Sequence, residues 1–137
     1  MIKVAWISRH KPLEIQVEKL REIFGSEVEI VQISRTFRNA EEILKELREL
    51  NIRYAVLVLP LSMIAVLTRN KDITWIWSEM VTVHKGKCKG LTCKLYNPKT
   101  DVLLVSNGEI RHLRFKGFKR IVKVELVFEP FQHLEEE

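Results

Sequence analysis

The chain has 137 residues, 46% of them hydrophobic and 30% charged, with a formal net charge of +5. That balance is too apolar for a disordered chain, and the length suits one domain with a genuine core. No apolar run approaches the roughly 18 residues that span a bilayer, and Arg9 and Glu14 arrive too early for a secretory leader. A cytoplasmic protein without membrane association is therefore expected. Lys, Arg and Glu are abundant while Gln occurs only at positions 16, 32 and 132, a bias that leans towards a thermophile.

Residues 2–7 form a short β-favouring apolar run, as a strand covered on both faces would. Pro12 stands where a first-turn proline is tolerated. Leu13, Val17, Leu20, Ile23 and Phe24 then recur at helical spacing up to Gly25, a natural stop. Residues 28–33 make the second strand. Asn39 with Glu42 three positions on reads as a capping box for a helix over 40–50. Residues 54–59 are the most hydrophobic strand and the best candidate for the middle of the sheet. Strand, helix, strand, helix, strand implies two right-handed crossovers and a parallel sheet beginning in the order 2-1-3.

Residues 61–68 read as a short buried helix and 73–77 as a fourth strand ending at Ser78-Glu79. Beyond residue 80 the rhythm turns antiparallel, with strand candidates at 80–83, 91–96, 102–105, 110–115 and 121–128. Asn97-Pro98-Lys99-Thr100 is a turn, and Asn107-Gly108 favours a type I′ hairpin. The chain is thus expected to be a single α/β domain over 1–137. Residues 1–79 form the βαβαβ portion, and 80–137 form an antiparallel β-rich extension. Whether that extension continues the main sheet or packs beside it is left open.

Charge is unevenly spread. Residues 1–83 are nearly balanced, with 12 Lys/Arg against 11 Asp/Glu. Residues 84–123 carry 11 Lys/Arg against Asp101 and Glu109, and residues 124–137 carry five glutamates and no Lys/Arg. A local excess of this size attracts phosphates or an acidic partner.

Three apolar runs stop at polar clusters: Ser8-Arg9-His10, Ser34-Arg35-Thr36 and Pro60-Leu61-Ser62. In neighbouring parallel strands these lie on the carboxyl edge, where open α/β sheets bind ligands. Ser8, Arg9, His10, Ser34, Arg35, Thr36, Arg38, Ser62 and Glu79 are the candidate ligand-binding residues. Forked arginine donors suit phosphate or carboxylate oxygens. His10 is the acid–base candidate if chemistry occurs, and cleavage of a phosphodiester fits best. The bland alternative is that such residues cap helices and solvate loops. Glycine-rich nucleotide motifs are absent, because Gly25 is the only glycine before Gly86. There is no Gly-x-Ser-x-Gly elbow either, and Cys93 is followed six residues on by Lys99 where a phosphatase loop needs arginine.

A second candidate surface consists of Lys85, Lys87, Lys89, Arg111, Arg114, Lys116, Lys119 and Arg120, with Phe115 and Phe118 interleaved. Basic and aromatic side chains together suit phosphate contacts and base stacking, while lysine also simply blocks sheet edges. The third set is His84, Cys88 and Cys93, extended by His112. Its spacing is loose for zinc, so free thiols are expected, with no metal and no cofactor. Trp6, Trp75 and Trp77 read as packing residues.

Over its first sixty to eighty residues the chain resembles, in topology, the broad group of Rossmann-like ligand-binding domains, including nucleotide-sensing domains of defence systems. Receiver domains share this start, but their paired acidic residues after the first strand are replaced here by Ser8-Arg9-His10. The resemblance is in topology alone and assigns no family; it is the strand-edge residues that lead to the expectation of a small Rossmann-like domain binding a phosphorylated or other anionic, nucleotide-like ligand there. The competing expectations are a nucleic-acid-binding accessory protein acting through residues 84–123, or a homodimeric interaction module without catalysis.

Overall fold

Alternate side chains of the first strand, β1 (Lys3–Ile7), enter two different hydrophobic clusters, and the architecture follows from that split. The computed structural model describes residues 1–83 and 88–131. After β1 come α1 (Glu14–Phe24), β2 (Glu29–Ile33), α2 (Ala40–Glu49), β3 (Tyr54–Leu57), α3 (Leu61–Leu67) and β4 (Thr74–Thr82). A single 3-10 turn at Gly90–Thr92 then precedes β5 (Asp101–Ser106) and β6 (Glu109–Arg120). The strands form one six-stranded sheet in the order β2-β1-β3-β4-β6-β5. The first four are parallel, and β6 and β5 add antiparallel to β4.

Right-handed crossovers place successive helices on opposite faces when the strand order reverses direction. Val4, Trp6, Val56 and Ile76 meet Leu20 and Phe24 of α1. Ala5, Ile7, Ala55, Leu57 and Trp75 meet Ile43, Leu44 and Leu47 of α2 and Ile64 and Leu67 of α3. Leu20, Ile43, Leu47 and Leu67 are fully buried, each contributing about 1.5–3 kcal/mol of transfer free energy.

Local chemistry sets the boundaries. Leu13 N–H donates to Gln16 Oε1 at 2.7 Å as α1 begins, and Gly25 ends the helix at φ 104°. Asn39 caps α2 by accepting from Glu42 N–H at 3.0 Å, as the sequence pattern indicates. Asn107 and Gly108 both have positive φ, 52° and 76°, which the type I′ hairpin requires.

Three strand expectations are corrected. The strands expected at 73–77 and 80–83 merge into one, β4 (Thr74–Thr82), which runs through Ser78-Glu79 because β6 pairs with it from Ile76 to Thr82. Residues 91–96 form turns, since Gly90 at φ 71° folds the backbone back and Cys93 N–H donates to Gly90 O. Residues 121–128 have no ladder partner among the described residues. They leave the sheet after Ile121 N–H donates to Trp75 O. The extension thus continues the main sheet. A register shift between Glu79 and Met80 interrupts the β4–β6 ladder, with Gly117 opposite Glu79 and Phe115 opposite Met80. Lys116 is therefore the extra residue of a β-bulge. No helix among the described residues is long and apolar enough to cross a membrane.

Candidate functional site

The loop after β1 is held by its own neighbours. Trp6 Nε1–H donates to His10 O at 3.0 Å, His10 N–H donates to Ser8 Oγ at 3.1 Å, and Gln32 Nε2 donates to Ser8 O at 3.1 Å. Arg9 Nη2 crosses to Thr36 Oγ1 at 2.8 Å, joining the loops after β1 and β2. Arg35 donates through Nε to Glu46 Oε1 at 2.8 Å, and its guanidinium carbon lies 4.3 Å from the centroid of the Phe37 ring. Each arginine thus keeps most of its five donors for another acceptor.

These loops surround one cavity of about 390 Å3. Its walls include Ser8, Arg9, His10, Ser34, Arg35, Thr36, Val58, Leu59 and Pro60. Six of the nine ligand-binding candidates therefore converge. The other three do not line it. Arg38 is exposed and 4.0 Å from Glu42, Ser62 is exposed on the first turn of α3, and Glu79 sits within β4. Lys119 hydrogen-bonds Glu79 at 2.9 Å and Lys116 lies 3.9 Å away. The Lys119 bond, opposed by partial desolvation and aided by both lysine charges, holds the Glu79 carboxyl below its ordinary range.

A second cavity of about 260 Å3 adjoins the first and shares Ser8, His10, Val58 and Leu59 with it. Its other walls are mostly apolar: Trp6, Leu57, Trp77, Met80, Val102, Leu104 and Leu113, with Lys11, Gln16 and Ser78. Buried Gln16 is satisfied there, donating from Nε2 to Ser78 Oγ at 2.9 Å. This apolar recess was not legible in the sequence, because its walls come from residues as far apart in the chain as Trp6 and Leu113. The only signal was the apolar side chains in the otherwise basic hairpin strands.

The basic set disperses. Arg114 is bound to Asp101, and Lys116 and Lys119 converge on Glu79, while Lys89, Arg111 and Arg120 are exposed. Lys85 and Lys87 lie outside the described residues, as does His84. Phe118 packs edge-on to Trp6 with centroids 6.3 Å apart, and Phe115 lies against Phe118 at 4.9 Å. Phe118 thus packs against the core on the α1 face of the sheet.

Cys88, Cys93 and His112 come together on the face of the β5–β6 hairpin, with their ligand atoms all within 4.8 Å of one another. Cys88 and His112 are buried, and Cys93 is half-buried. His112 Nε2 is 2.6 Å from Asp101 Oδ2, both side chains being fully buried. Burial pushes the Asp101 carboxyl up. Hydrogen bonds from Arg114, Thr100, His112 and the Asn97 N–H outweigh it and hold the group well below the usual carboxylate range. Compared with known proteins, the chain matches no family model, and no curated protein or solved structure is significantly similar to it.

Proposed function

We propose that this protein binds a small nucleotide-like ligand at the carboxyl edge of its parallel strands. The observation that carries the reading is the junction of two unlike cavities at Ser8, His10, Val58 and Leu59. One is rimmed by Arg9 and Arg35, which suit phosphate oxygens. The other is lined by Trp6, Trp77, Leu104 and Leu113, which suit a planar, weakly polar group. A ligand with an anionic end and a flat end fills both. Binding of long nucleic acid through the basic strands has less support, since Arg114, Lys116 and Lys119 already meet carboxylates.

The test is a thermal-shift panel of mono-, di- and cyclic nucleotides with inorganic phosphate and nucleosides alongside. A ligand present at 100 times its dissociation constant adds about 2.7 kcal/mol to stability. Nucleotides are expected to shift the transition and to quench Trp77, which is 40% exposed in the recess. Arg9→Ala and Arg35→Ala should each remove the shift. Leu104→Trp, which fills the recess, should abolish binding of nucleotides while leaving the weaker response to phosphate. A flat response across the panel sinks the reading.

A further inference from the structure

We infer that Cys88, Cys93 and His112 form a zinc-binding site, separate from the strand-edge cavities, that clips the connection between β4 and β5 onto the hairpin. The distance between Cys88 and His112 fits the ion. Tetrahedral bonds of about 2.3 Å to sulfur and about 2.0 Å to nitrogen set a ligand–ligand edge of roughly 3.6 Å. Cys88 Sγ and His112 Nδ1 are 3.7 Å apart, and the whole set lies within 4.8 Å. Two thiolates and an imidazole favour zinc over the hard cations, which take oxygen ligands.

The second shell points the same way. Asp101 faces Nε2 of His112, the nitrogen remote from the Cys88 sulfur, so a proton there leaves the Nδ1 lone pair directed at Cys88. A carboxylate behind a ligating histidine fixes tautomer and ring orientation in metal sites. Asp101 is itself anchored by Arg114 Nε at 2.7 Å and by the Asn97 N–H at 2.9 Å. On the sulfur side, Gly90 N–H points at Cys88 Sγ at 3.4 Å, a donor that stabilises a thiolate. Gly90 holds φ 71°, and a Cβ there would lie 3.2 Å from Ile110 Cδ1, so the turn that brings Cys93 round depends on glycine.

The role follows from the connection itself. Between Thr82 and Asp101 the described backbone holds only one 3-10 turn, too little regular structure to order so long a segment. A metal joining residues 88 and 93 to residue 112 closes that loop and contributes to folding free energy.

Reduced full-length protein is to be loaded with Zn2+ or Co2+ alone, dialysed, and assayed for metal content. One equivalent of zinc per chain is expected, together with a Co2+ spectrum showing thiolate charge-transfer bands and intense tetrahedral d–d bands. Zinc should also slow alkylation of Cys88 and Cys93, and chelation should restore it. Cys93→Ser, at a half-buried position, should lose the second thiolate contribution from the cobalt spectrum. Asp101→Asn should weaken Zn2+ affinity about 10- to 100-fold in a chelator competition. The site is overturned by reduced, folded protein that retains no metal, shows no thiolate–cobalt band and alkylates at the same rate with and without zinc. A Cys88–Cys93 disulfide whose reduction fails to create zinc binding overturns it equally. Because none of these readouts involves a nucleotide, the result stands apart from the fate of the strand-edge reading.

Discussion

Glu79 shows how a neighbour changes the meaning of a side chain. Placed after an apolar run, it reads as a carboxylate at a ligand edge; inside β4 it is the shared counter-ion of Lys116 and Lys119. Its folded pKa lies below the unfolded value. Its stabilising contribution is therefore present above the ordinary carboxylate range and is lost as pH falls through the lowered folded value. NMR titration of the Glu79 carboxyl should show that depressed midpoint, and Lys119→Gln should return it towards the ordinary value. An unchanged midpoint in the variant would assign the shift to some other cause. The pair is exposed on its lysine side, so the effect on global stability is expected to be small.

At the scale of elements, the Asn39 cap sets where α2 begins and hence where the loop carrying Ser34, Arg35 and Thr36 must end. Asn39→Ala removes the acceptor for Glu42 N–H and should cost about 0.5–2 kcal/mol, read as a lower denaturation midpoint with unchanged m-value. The elements that were legible in advance are those whose signal is local. The helical periodicity of Val17, Leu20 and Phe24, the Asn39–Glu42 box and the Asn107-Gly108 turn each fix structure within a few residues. The convergence of residues 8–10 and 34–36 was legible too, because parallel pairing brings all strand ends to one edge. What was not legible depends on distant partners. Residues 74–82 become one strand only because β6 lies beside them, and residues 121–128 favour β structure yet have no strand among the described residues to join. That Cys88, Cys93 and His112 come together could not be read from their loose spacing, because the hairpin that folds His112 back onto the cysteines is a tertiary fact. Asp101 carried no signal at all.

For the molecule as a whole, the largest departure from a satisfied surface is the chain leaving the sheet. Ile121 and Val124 pack against the α2–α3 cluster and Lys71 Nζ donates to Val122 O at 2.7 Å, but Leu126, Val127 and Phe128 are each at least 80% exposed. Apolar exposure on a β-favouring segment promotes pairing between copies. Truncation after Glu125 should therefore reduce concentration-dependent association in light scattering while changing stability by no more than about 0.5 kcal/mol. Equal association by both chains would exclude this segment as the contact.

The bulge at Lys116 has a consequence for the apolar recess. Val102 and Leu104 belong to β5, four strand positions from β1, so at about 4.8 Å per step a flat sheet would hold them roughly 19 Å from Trp6. Yet all three wall the same hollow. The sheet curls between them: Ile15 N–H reaches Lys99 O at 3.2 Å, which brings the turn before β5 against the first turn of α1. Deleting Lys116 would make Phe115 adjacent to Gly117, restoring a regular ladder with every flanking side chain on its original face. Such a deletion should uncurl the sheet and widen the recess without altering one residue of its lining, turning curvature itself into the variable that governs affinity.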